Sequence, residues 1–177
     1  HIVDWEAHMR AARKIAVSAV MTAVSAVGLI AGTALPTLQL SLHAALSAFP
    51  AVLAAEGAAL YGILSAAAAA LLGFMLAPDK LAVLPYALFF GWYGPVYVAV
   101  ACRRGRWAAL AVKAALFNAA LAAGLTGFRL LAIDIGFPWW AYVLAGQPVF
   151  LLYDRVLGLF LGFYERKLRR YIMGGAR

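Results

Sequence analysis

Acidic side chains are scarce in this chain: Asp and Glu number 7 in 177 residues against 15 Lys and Arg, and only 12% of positions carry charge. Soluble domains devote roughly a quarter of their positions to charge, so this composition excludes an ordinary water-exposed surface. Cysteine is reduced to Cys102, which excludes an internal disulfide and a paired-thiolate zinc site. The 3 histidines include His1 and His8 at the extreme N-terminus, leaving no HExxH or other paired metal-ligand spacing. P-loop, GxSxG and GxGxxG patterns are missing too. ATP-derived energy would therefore have to come from a partner, and no nucleophile–base pair, metal or cofactor marks the chain as an enzyme.

What is abundant is apolar: 66% of residues are hydrophobic and the mean hydropathy is +0.89. A hydrocarbon layer of ~30 Å takes ~20 helical residues to cross. The sequence thus predicts an all-α integral membrane protein, with six transmembrane helices in one compact bundle over residues 9–177. The expected spans are 15–35, 38–55 with Pro50 as a kink, 58–76, 81–101, 107–132 and 139–163. Between them stand the breakers Pro36, Glu56-Gly57, Pro78-Asp79-Lys80, Gly105, Gly136 and Pro138. Residues 1–8 are unlike the rest, and His8-Met9 resembles a cloning junction, so Met9 is the expected native start.

The net charge of +8 does not point to nucleic acid, because the cations flank apolar spans. With six crossings, Arg10, Arg13, Lys14, Arg103, Arg104, Arg106, Arg166, Lys167, Arg169, Arg170 and Arg177 fall on one side. Only Lys80 and Arg129 fall on the other. The positive-inside rule then makes both termini cytoplasmic.

Polar groups at membrane depth carry the functional information, because an unpaired charge there is costly. Lys113, Asn118 and Asp154 reach overlapping depths on antiparallel helices and form an expected buried polar network, with Asp154 held by Lys113 or the Asn118 amide. Arg155 points ~100° away from Asp154 on its helix and is expected to extend toward headgroups. Toward the opposite face lie His43, Tyr86, Trp92, Arg129, Asp134, Trp139, Trp140, Tyr142 and Gln147. An outer cavity lined by His43, Tyr86, Arg129, Trp139, Trp140 and Gln147 would suit a small water-soluble ligand, with Arg129 and His43 receiving an anionic group. In the first span, Ala12, Ala16, Ala19, Ala23 and Ala26, or Ser18, Thr22 and Ser25, recur at three- and four-residue spacing. Such small-residue faces let another helix approach closely.

The basic N-terminus running into "RKIAVSAVMTAVSAV", six spans within 177 residues, the stretch "LAPDKLAVLPYALFFGWYGP" and the basic tail together resemble the substrate-binding subunits, or S components, of energy-coupling-factor transporters. The resemblance implies six helices cradling a vitamin-like nutrient or metal ion near the outer face. It also implies docking on a shared energising membrane subunit that carries two ATPases. Carried onto this chain, the AxxxA pattern makes Ala19 and Ala23 the partner-contact pair. A similar six-helix arrangement occurs in the rod-shape protein D family, which implies the alternative of a membrane scaffold without a ligand.

Overall fold

Each long apolar run becomes a helix, the conformation that satisfies every backbone N–H and C=O within one segment, and no strand forms among the described residues. The computed structural model describes residues 2–101, 105–133, 136 and 138–168, with side chains for 12–101, 105, 107–133, 136 and 138–167. Cys102, Arg103, Arg104, Asp134, Arg169, Arg170 and Arg177 lie outside the described residues. The chain divides into two compact units, residues 1–99 and 100–177.

The first unit begins with α1 (Ile2–Thr33), then α2 (Gln39–Leu46), α3 (Ala48–Ala55) and α4 (Ala59–Leu76). A 3₁₀ turn (Leu81–Val83) and a π-helical segment (Tyr86–Phe90) lead into α5 (Gly91–Ala101). α4 packs against α1 and α3, and α2 lies on α1. The core between them contains Leu29, Leu53, Val83 and Tyr86, each no more than 1% exposed.

The break expected at Pro50 falls three residues earlier. Proline has no N–H to offer the Leu46 carbonyl, and α2 ends at that residue, while Ser47 keeps a right-handed helical backbone (φ −65°, ψ −17°) that carries the chain into α3. α3 ends at Glu56-Gly57. Ala58 N–H bonds the Leu53 carbonyl at 3.0 Å and Gly57 N–H bonds Ala54 at 3.1 Å, a Schellman closure in which Gly57 takes φ +72°. That left-handed position favours glycine. Gly94 serves a different purpose: a Cβ there would sit 2.6 Å from Ala51 Cβ and 2.9 Å from its Cα, so α5 lies against the backbone of α3. A hydroxyl pair, Thr22 with Ser65 at 2.7 Å, joins α1 to α4.

The second unit pairs α6 (Arg106–Leu130) with α7 (Trp139–Phe163), followed by a π-helical turn (Tyr164–Leu168). α6 closes as α3 does, with Ile133 N–H on Phe128 O and Ala132 N–H on Arg129 O. Here the left-handed position is taken by Ala132 at φ 54°. A Cβ in that conformation costs about 1–2 kcal/mol, and glycine returns roughly 0.4–1 kcal/mol of that through its freer unfolded chain. Ala132→Gly should therefore raise stability by about 0.5–1 kcal/mol, read as an upward shift of the thermal unfolding midpoint in detergent. A lower midpoint would show that the strain is not there.

Among the described residues, five helical stretches are long and apolar enough to cross a membrane: Ala12–Thr33, Ala59–Leu76, Leu81–Ala101, Trp107–Leu130 and Trp139–Lys167. The remaining apolar stretch, Gln39–Ala55, is shorter. Large apolar side chains remain exposed along these stretches, among them Val27 at 66%, Leu71 at 61% and Leu159 at 74%. Soluble monomers rarely leave apolar surface contiguous on this scale. The described residues are all-helical apart from their turns, and the length and composition of these helices are those of a multi-pass membrane protein.

Candidate functional site

In the first unit, three helical segments bring polar side chains into the apolar core. Ser25 comes from α1, His43 from the last turn of α2 and Tyr86 from the start of the π-helical segment; they are 1%, 1% and 0% exposed. The His43 ring lies 6.1 Å from that of Tyr86 and 6.0 Å from that of Phe90, both tilted. The Ser25 hydroxyl neighbours that of Tyr86. Even so, Ser25 Oγ, His43 Nδ1 and Tyr86 Oη are all buried without a hydrogen-bond partner. Buried polar atoms are nearly always paired, and leaving one unpaired costs about 1–3 kcal/mol. Ser25, His43 and Tyr86 thus place three such atoms in the buried core of the first unit.

Local backbone irregularity accompanies these atoms. Gly91 N–H bonds the Tyr86 carbonyl, five residues back, which widens the helix where Tyr86 and Phe90 turn inward. π-helical insertions of this kind are rare and recur at functional sites. His43 lies one turn before the α2/α3 break.

Within the second unit, α6 and α7 run antiparallel and meet in successive rungs. Lys113 Nζ lies 2.6 Å from Asp154 Oδ1, with side chains 10% and 12% exposed. Phe117 and Phe150 stack at 4.9 Å and 19°. Gln147 Nε2 then donates to Asn118 Oδ1 at 2.9 Å and to Val143 O at 3.2 Å, while Asn118 Nδ2 donates to Ala114 O. Asp154 is thus held by Lys113, whereas the Asn118 amide bonds its own helix and Gln147. Arg155 is exposed.

Beyond the Asn118–Gln147 rung the two helices leave an open groove of ≈ 200 Å³ lined by Asn118, Leu121, Leu125, Arg129, Trp139 and Val143. Pro148 lies inside α7, where it removes a bond to the Leu144 carbonyl, and the groove opens on the N-terminal side of it.

Of the six residues expected around one ligand cavity, His43 and Tyr86 belong to the first unit and Arg129, Trp139, Trp140 and Gln147 to the second. His43 and Tyr86 meet in the first unit, with Ser25 as a third member. Arg129 and Trp139 share the groove of the second unit, Gln147 is bonded at its floor, and Trp140 is exposed at 54%. Sequence reading placed Ser25 only in a small-residue stripe; the usable signal was a hydroxyl inside an otherwise apolar span. In the alanine stripe of α1, Ala12, Ala16, Ala19 and Ala23 are exposed and Ala26 is buried; in the hydroxyl stripe, Ser18 and Thr22 are half-buried and Ser25 is buried. Among the described residues no cluster of His, Cys, Asp and Glu could hold a metal ion. Comparison of the chain with protein-family models, curated proteins and solved structures finds no match.

Proposed function

We propose that the protein is a membrane-embedded binding subunit for the uptake of a small water-soluble, vitamin-like nutrient, working with an energy-coupling-factor type partner in a bacterial or archaeal cytoplasmic membrane. The observation that carries this reading is the set of three unpartnered polar atoms of Ser25, His43 and Tyr86. Their combined cost is tolerable if a ligand's polar head fills the centre during function. Two hydroxyls and an imidazole nitrogen can each donate or accept, and the Phe90 ring adjoins them. Such a set suits a neutral polar head on a small, flat molecule. Interrupted helices recur at transporter binding sites near the bilayer midplane, where freed backbone groups can line a cavity; the α2/α3 break and the π-helical segment are of that kind.

In this reading Gln39–Ala55, ~25 Å long at 1.5 Å per residue, makes a short sixth crossing, and both termini are cytoplasmic. The exposed small-residue face at Ala19 and Ala23 supports docking of α1 on an energising membrane subunit that carries the ATPases. The test is a thermal-shift screen of the purified protein against vitamins, their precursors, nucleobases and amino acids. A true ligand at a hundredfold excess over Kd adds about 2.7 kcal/mol to the folded state. In parallel, Ala19→Leu with Ala23→Leu should abolish co-purification with the energising subunit. A scaffold of the rod-shape protein D type predicts no stabilising compound, and that result would sink the uptake reading.

A further inference from the structure

The groove of the second unit carries an inference that stands apart from the nutrient site. We propose that it holds one anionic phospholipid, with the lipid phosphate at Arg129 and one acyl chain lying along Leu121, Leu125 and Val143.

Dimensions favour a lipid chain. From Asn118 to Arg129 the groove follows α6 for ~17 Å at 1.5 Å per residue, close to half of the ~30 Å hydrocarbon layer, and so to the depth of one leaflet. Its ≈ 200 Å³ is below the ~300–1,000 Å³ of ordinary small-molecule pockets. A long, narrow, open-sided, mainly apolar cleft suits a single chain better than a compact solute. The Asn118–Gln147 pair closes its deep end.

Charge favours an anionic head at the other end. Arg129, in the last turn of α6, is exposed, and among the described residues nothing pairs with its guanidinium. Across the groove stands the N-terminus of α7, whose cap residue Pro138 offers no side-chain hydrogen bond. The N–H groups of that first turn carry the positive end of a 25-residue helix, a field that attracts phosphate. Trp139 and Trp140, both 54% exposed, belong at headgroup depth. A cation, an uncapped helix N-terminus and an indole thus surround the mouth of a leaflet-deep apolar groove.

The experiment uses the full chain in detergent, with dioleoyl phosphatidylglycerol, dioleoyl phosphatidylcholine and inorganic phosphate as probes, read by native mass spectrometry and by thermal shift. One phosphatidylglycerol per chain should be retained in preference to phosphatidylcholine. Arg129→Gln should cut that retention about tenfold or more, to the phosphatidylcholine level, while Arg129→Lys keeps part of the preference. Ala122→Leu, which narrows the groove beside Leu125 without touching the charge, should weaken both lipids. Inorganic phosphate should neither stabilise the protein nor displace the lipid. Equal retention of the two lipids, an unaffected Arg129→Gln variant, or displacement by inorganic phosphate would each overturn the proposal. His43→Ala, which alters only the first unit's polar centre, should leave lipid retention unchanged, so the two readings fail separately.

Discussion

Asp154→Ala should lower the unfolding free energy by about 3–5 kcal/mol, among the largest losses expected of any single substitution outside the tightest helix contacts. The 2.6 Å pair with Lys113 is nearly dry, at 10% and 12% side-chain exposure, and both residues lie in helices that can cross the membrane. Removing the carboxylate takes the ion-pair partner from a little-exposed ammonium, and the cost of that loss exceeds what the pair itself contributes. It follows that adding Lys113→Ala to Asp154→Ala should recover part of the loss. Replacing both residues by Met and Leu should come close to wild type, since a hydrophobic pair of similar volume avoids desolvating either ion. The measurement is a double-mutant cycle on thermal or denaturant unfolding in detergent. Strictly additive losses would show that the two residues do not act as a pair.

Tyr86→Phe should behave in the opposite sense and split stability from binding. The Tyr86 hydroxyl is fully buried and has no hydrogen-bond partner, so deleting one oxygen removes a desolvation penalty and leaves the ring packing on His43 intact. The ligand-free protein should gain about 1 kcal/mol. The stabilisation conferred by a ligand found in the screen should fall by about 1.5 kcal/mol, roughly tenfold in affinity, as the hydrogen bond it would have made is lost. Ser25→Ala should follow the same pattern. A permanent internal water bridging the three groups predicts the reverse sign, because its partners would be lost in the ligand-free protein. A drop in the unfolding midpoint of ligand-free Tyr86→Phe would thus remove the binding centre from consideration.

Three spans were readable from hydropathy to within a few residues: 58–76 against Ala59–Leu76, 107–132 against Arg106–Leu130, 139–163 against Trp139–Phe163; the first, expected at 15–35, belongs to a helix that already starts at Ile2, and 38–55 is split into Gln39–Leu46 and Ala48–Ala55. Glu56-Gly57 was readable as a turn, though not its Schellman geometry. The π-helical segment at Tyr86–Phe90 was not readable, because nothing in "YALFF" separates a five-residue from a four-residue hydrogen-bond step.

What the sequence by itself determined is where helices must exist and where they stop. An apolar run in lipid has no other way to satisfy its backbone, and Pro or Gly ends it through a missing N–H or a left-handed residue. It also brought Lys113 and Asp154 to similar depth, since depth follows from residue count at 1.5 Å per residue. The tertiary structure alone decided which way each side chain turns. Neighbours on a helix point ~100° apart, and helices apolar on nearly every side give no hydropathy signal that selects a face. The rotation of α1 therefore came from packing, with Ser25 turned into the core and Ala19 and Ala23 outward. The register of α6 on α7 likewise came from contacts such as the Phe117–Phe150 stack, which sets Asn118 against Gln147 and leaves Asp154 to Lys113. His43, Tyr86 and Ser25 are buried for the same reason: three segments distant in sequence share one core, and only their packed rotations turn these polar side chains into it.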